Sequence, residues 1–225
     1  MEEDEKLKKK KAYLEARSFP FEVTEVRKSE DGVTRIGGYA AVFNKLSEDL
    51  GGFREKIKRG FFSEVLGNDV RALFNHDDNM VLGRTTNDTL TLKEDSKGLE
   101  VEIIPPNTTY ARDLTTLMER GDVNQMSFQW VTADDKWDES DLANVVRTLV
   151  KAESLWDVSP VTFPAYPQTT AGVRSAKQLY IDHVETRLAE LQENKAEQEK
   201  EEEKERMFKK LSVIRRKLMI LEKEN

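Results

Sequence analysis

Apolar residues recur along this 225-residue chain with two different periods, and the change from one to the other constrains the fold more than any other feature. From residue 19 the period is two: Phe19, Phe21 and Val23 alternate with polar residues. Further short apolar runs cover 36–43, 70–74, 82–84, 90–92, 99–104, 124–131, 145–149 and 155–161. A period of two sends successive side chains to opposite faces, so these runs predict strands. Turn residues separate them at Asp31-Gly32, Asn87-Asp88, Ser96-Lys97-Gly98 and Pro105-Pro106. Tyr110, Leu114, Leu117 and Met118 form one helical face, with Asn107 or Thr108 before it and Gly121 after it. A short helix is expected after Gly60-Phe61-Phe62, and a polar loop carrying Trp137 over 134–144. Many short strands and one good helix predict a mostly β fold with some α, a compact β-barrel or sandwich with helices packed outside.

From residue 176 the period becomes helical. Val184, Leu188 and Leu191 are spaced 4 and 3, and Met207, Leu211, Ile214, Leu218 and Leu221 continue a heptad spacing. The two seams are out of phase across the charged stretch 192–206, so two helical pieces joined by a solvated helix or linker are expected. Residues 2–17 read as a short solvated helix, because only Leu7, Tyr13, Leu14 and alanines are apolar there. The domain reading is therefore 1–17, a charged N-terminal helix; 18–175, the globular domain; and 176–225, a charged helical, coiled-coil-like tail.

Composition removes several classes of function. A net charge of −7 argues against nucleic-acid binding. The chain has no cysteine, which excludes disulfides, thiol catalysis and thiolate metal sites. Its two histidines, His76 and His183, cannot make a His-rich metal centre, so no metal and no cofactor is expected. No apolar run approaches the ~18 residues that a membrane span needs, and the acidic start is unlike a secretory signal.

Chemistry assisted by histidine in the globular segment must use His76, which stands where a strand gives out, beside Asn75, Asp77 and Asp78. It reads either as a general base or as a solvated turn histidine. Ser127 lies in Gln125-Met126-Ser127-Phe128-Gln129, on the strand face opposite Met126, Phe128 and Trp130. A serine attacks a peptide only when a neutral imidazole takes its proton. Ser127 reads either as such a nucleophile or as an ordinary strand serine. No Gly-x-Ser-x-Gly elbow is present. His183, on the charged tail, reads as an exposed helix residue.

Residues 33–174 resemble the HK97-type prohead protease family of tailed phages. The resemblance rests on Gly38-Tyr39-Ala40-Ala41-Val42-Phe43-Asn44, on Phe53-Arg54-Glu55 with Gly60-Phe61-Phe62, and on Ala72-Leu73-Phe74-Asn75-His76-Asp77. It continues through Val81-Leu82-Gly83-Arg84-Thr85, Arg120-Gly121-Asp122-Val123 and Met126-Ser127-Phe128, ending at Val158-Ser159-Pro160-Val161-Thr162-Phe163-Pro164-Ala165-Tyr166-Pro167. The family's usual Gly-Ala-Phe is Gly60-Phe61-Phe62 here, and its usual Glu before Val-Ser is Asp157. The resemblance implies a serine endopeptidase of capsid maturation, similar in fold to the herpesvirus assembly proteases, with His76 as base and Ser127 as nucleophile. Such enzymes act in the host cytoplasm inside the procapsid, where the major capsid protein and the scaffold are their partners, and they then degrade themselves. The third member is expected to be Asp157, with Glu153 the alternative, both placed on one face of the strand 153–159. Arg174 is a candidate positive neighbour by analogy with the herpesvirus enzymes. A rival reading is a scaffolding protein whose charged tail dominates its role, or a fused protease–scaffold, with self-association through the C-terminal helix.

Overall fold

The computed structural model describes residues 14–19, 25–28, 32–163 and 175–221. Its strands, in chain order, are β1 (Leu14–Phe19), β2 (Glu25–Lys28), β3 (Thr34–Val42), β4 (Arg54–Ile57), β5 (Arg71–Phe74), β6 (Asp77–Arg84), β7 (Leu90–Glu94), β8 (Gly98–Ile103), β9 (Gln125–Asp138) and β10 (Val146–Val161). A single 3₁₀ turn, Thr85–Asn87, follows β6, and the helices are α1 (Thr109–Glu119) and α2 (Ala176–Leu221). The protein is mostly β, as the period-two runs require. The strands form two sheets. One runs β1-β9-β10-β5-β6, with β4 also paired to β10, and the other runs β2-β3-β8-β7. They share one core, in which Ile36, Leu99, Val101 and Ile103 of the smaller sheet join Phe128, Trp130, Leu149 and Val158 of the larger, with Leu114 and Met118 of α1. The aromatic centre is tightly interlocked: Phe62 meets Phe128 edge-on at 5.3 Å and Phe61 meets Phe62 edge-on at 4.8 Å.

Several expectations need correction. Residues 14–17 are not a solvated helix but part of β1, which pairs antiparallel with β9 from Leu14↔Val131 to Phe19↔Met126. A boundary after residue 17 therefore falls inside a strand; residues 1–13 lie outside the described residues. The segment 60–68 is a series of tight turns, each closed by an i→i+3 backbone bond such as Phe61 N–H to Lys58 O at 3.1 Å, rather than a regular helix. The polar stretch 134–138 is no loop but the end of β9, where Trp137 packs on Phe53 at 5.0 Å.

The runs 145–149 and 155–161 are one 16-residue strand, β10. Its pairing with β9 slips at four places between Leu149 and Asp157. Each extra residue breaks strict alternation, so its core residues are Leu149, Ala152, Leu155 and Val158, three apart instead of two. Two backbone N–H groups along this irregular stretch are satisfied by the turn segment. Ala152 N–H donates to Phe61 O (3.0 Å) and Leu155 N–H donates to Asn68 Oδ1 (3.1 Å).

The tail is one continuous 46-residue helix, its two apolar seams joined by a solvated helical stretch over 192–206 rather than by a linker. Among its described side chains, Ala176 and Leu179 are buried, while Val184, Leu188, Leu191, Met207, Phe208 and Leu211 are exposed. Exposed pairs such as Arg187–Glu190 (3.0 Å) and Lys204–Glu201 (3.1 Å) lie one turn apart on its surface. Residues up to Gln178 and residues from Leu179 onward form two separate compact units. Among the described residues, no helix is long and apolar enough to cross a membrane.

Candidate active site

His76 owes its position to a hairpin. β5 and β6 are antiparallel, with Phe74 opposite Asp77, and Asn75 and His76 are the two turn residues between them. Their φ angles are +56° and +58°, as the tight two-residue turn of the I′ kind requires. Non-glycine residues seldom occupy this left-handed region, at a cost of roughly 1–2 kcal/mol, and Asn and His are among those that do so most readily. The tip is tied to the end of β10. Asn75 N–H donates to Pro160 O (3.0 Å), Asn75 Nδ2 donates to Thr162 Oγ1 (3.2 Å), and Thr162 N–H donates to Asn75 Oδ1 (2.8 Å).

This clamp brings the turn against the same strand that carries Asp157. His76 Nδ1 lies 2.7 Å from Asp157 Oδ1, and the two side chains are 10% and 5% exposed. An ionised carboxylate only accepts, so the proton sits on Nδ1 and the lone pair on Nε2. Among the described residues, the buried His76 Nε2 has no hydrogen-bond partner.

Ser127 lies on β9 directly opposite Ser159 of β10, and Gln129 lies opposite Asp157. Met126, Phe128, Trp130 and Val158 point into the core, so Ser127, Asp157 and Ser159 share the other face of the sheet. Opposed residues of an antiparallel pair have Cβ atoms about 5 Å apart. Ser159 Oγ in turn donates to Asp157 Oδ1 at 2.5 Å. Ser127 is fully buried, and its Oγ donates to the carbonyl of Arg17 at 3.0 Å. The hydroxyl and the imidazole are therefore not joined to each other in this arrangement.

Arg17 is fixed by a buried ionic network. Its Nε meets Glu55 Oε2 at 2.7 Å, and Arg147 meets Glu15 and Glu55 at 2.6 Å each and Asp135 at 2.7 Å. Burial alone would raise the Glu15 carboxyl, but the charge and hydrogen bonds of Arg147, helped by Arg17, hold it below its ordinary range. The same carboxylates keep Arg147 charged.

Glu153, the alternative to Asp157, is exposed, because the slip between Leu155 and Asp157 takes it out of phase with the site. His183 is half-buried on α2 rather than exposed. Arg174 lies outside the described residues. Asn75, Arg17 and Thr162 escaped the sequence reading. An Asn before a His at a strand end was the available signal for the first, Thr162 lies within the last of the family-like motifs, and nothing in the sequence marks Arg17. Among the described residues no cluster of His, Cys, Asp and Glu has the makings of a metal site.

The family model for caudovirus prohead serine proteases matches residues 21–185, a span that includes His76, Ser127, Asp157 and every strand from β2 to β10. The chain belongs to the caudovirus prohead serine protease family. Among solved structures it is similar to the capsid assembly protease gp21 of bacteriophage T4, at 9% sequence identity and a TM-score of 0.42, covering 66% of this chain and 95% of that one. No curated protein matches the chain.

Proposed function

We propose that this prohead protease is an active serine endopeptidase, with Ser127 as nucleophile, His76 as general base and Asp157 as the group that orients the base. The observation that carries this reading is the His76–Asp157 contact of 2.7 Å, together with the buried, open Nε2 on the other side of the ring. For attack, the Ser127 hydroxyl turns from the Arg17 carbonyl and gives its proton to Nε2 as Oγ bonds to the scissile carbonyl carbon. Asp157 stabilises the imidazolium so formed. Nε2–H then protonates the leaving amine as the peptide C–N bond breaks, leaving an acyl-enzyme. Water repeats the cycle in reverse and frees Ser127.

The substrates in this reading are the scaffold segments of capsid proteins inside the procapsid, in the host cytoplasm, and the protease itself. The exposed apolar residues of α2, from Val184 to Leu211, suit docking to the scaffold or the capsid protein. The competing reading gives the chain a mainly scaffolding role, and the 46-residue charged helix favours it. Co-expression of the cognate capsid protein with wild-type or Ser127→Ala chain separates the two. The proposal expects shortened capsid protein and a shortened protease only with wild type. Equal shortening with Ser127→Ala rules out Ser127 as the nucleophile. Intact capsid protein in shells that assemble only when the chain is present favours scaffolding.

A further inference from the structure

We infer that Ser159 is a positioning residue of the active site: its hydroxyl holds the Asp157 carboxylate in the orientation that fixes the tautomer of His76. This rests on the His76–Asp157 reading above and adds a fourth member to it. A carboxylate with only 5% of its side chain exposed needs donors to remain ionised away from water. Among the described residues Asp157 has two, His76 Nδ1–H at 2.7 Å and Ser159 Oγ–H at 2.5 Å, and both converge on the same oxygen, Oδ1. One donor leaves the carboxylate free to swing about its last torsion. Two donors arriving from different elements, the 75–76 turn and β10 itself, define its plane. Ser159 is fully buried, so its hydroxyl is shielded from bulk solvent.

The geometry also separates the two serines that face each other across β9 and β10. A hydroxyl carries one proton. Ser159 commits its proton to the acid, which makes it a support for the carboxylate. Ser127 donates its proton to a backbone carbonyl, that of Arg17, and not to the acid. The nucleophile and the support are thus distinguished by their acceptors rather than by their depth, since both are fully buried.

The test uses the full chain with Ser127→Ala to prevent self-cleavage, and reads the ring nitrogens of its two histidines by ¹⁵N NMR. His76 is expected in the Nδ1–H form at neutral pH. Adding Ser159→Ala is expected to bring in the Nε2–H form, with His183 unchanged as an internal control. On the otherwise wild-type chain, Ser159→Ala is expected to slow single-turnover cleavage of the cognate capsid protein by about 10–100-fold. In an Asp157→Asn background it is expected to add nothing, because its effect passes through Asp157. Ser159→Cys, nearly the same size with a weak donor, is expected to behave as Ser159→Ala does, and it replaces that variant should the alanine form not fold. Unchanged His76 tautomer, or losses that multiply with those of Asp157→Asn, would overturn the inference. Normal cleavage by Asp157→Asn would remove Asp157 from the site and Ser159 with it. A slow Asp157→Asn beside a normal Ser159→Ala removes Ser159 alone.

Discussion

His76 sits in a left-handed backbone conformation that few non-glycine residues adopt, with φ at +58°, and the surroundings hold it there. Three hydrogen bonds between Asn75 and the end of β10 do so, and Asp157 fixes the ring. At this scale the prediction is a ranking. His76→Ala and Ser127→Ala should each slow cleavage by about a millionfold, and the double variant by hardly more, because the pair works as a unit. Asp157→Asn should keep the fold and lose roughly 10⁴, since an amide in place of the carboxylate favours the wrong tautomer. Glu153→Gln should change the rate less than about twofold, as an exposed surface substitution away from the site. Single-turnover rates on capsid protein check the series. A Glu153 variant slower than the Asp157 variant would reverse the assignment. The assignment itself was only half legible in the sequence. The pair of candidates was visible, but strict alternation put both on one face, and the slip in β10 after Leu155 separates them.

At the scale of elements, β1 is held by charge as much as by pairing. Glu15 and Arg17 are buried against Glu55, Arg147 and Asp135, two arginines among three carboxylates. Removing one member of such a network leaves its partners buried without compensation. Glu15→Gln should therefore destabilise the domain by about 3–5 kcal/mol, measured by chemical denaturation. The pH dependence has a definite sign. The Glu15 carboxyl is held below its ordinary value of 4.5 in the folded chain, so its contribution is complete above that value and lost as pH falls through the lower, folded-state value. Wild type should lose stability steeply on acidification in that window, and Glu15→Gln should show a shallower slope there. Equal slopes would mean that Glu15 is not the group that titrates. The network also explains why residues 14–17 mislead as sequence: alternating charged residues look solvated unless their partners, 38 to 132 positions away, are known.

At the scale of the whole molecule, the chain divides at Gln178 into two compact units. Among its described side chains, α2 buries only Ala176 and Leu179, and those from Val184 to Ser212 are exposed. A truncation after His183 keeps those buried residues. It should fold with the melting temperature of the full domain, cleave capsid protein in solution, and fail to enter procapsids, scored by gel analysis of purified particles. Loss of folding would mean that the seam belongs to the core. Retained incorporation would mean that another surface docks the protease. A change from dimer to monomer on truncation would point to a second copy as the partner of α2.

The residues themselves determined the mostly β character of the domain, α1, the helical tail, and the two side chains able to act as base and nucleophile. The elements follow from local rules, since side chains alternate along a strand and repeat every three to four residues on a helix; His76 and Ser127 were singled out by the family resemblance, local sequence leaving both open. Tertiary structure alone decided that charged residues 15 and 17 are buried, that β10 is one interrupted strand, and that Asp157 rather than Glu153 reaches His76. Each of these depends on partners far away in sequence. A buried charge is tolerable only where an opposite charge meets it. A slip in a strand is stable only where another segment, here Phe61 and Asn68, takes up the backbone groups it leaves over.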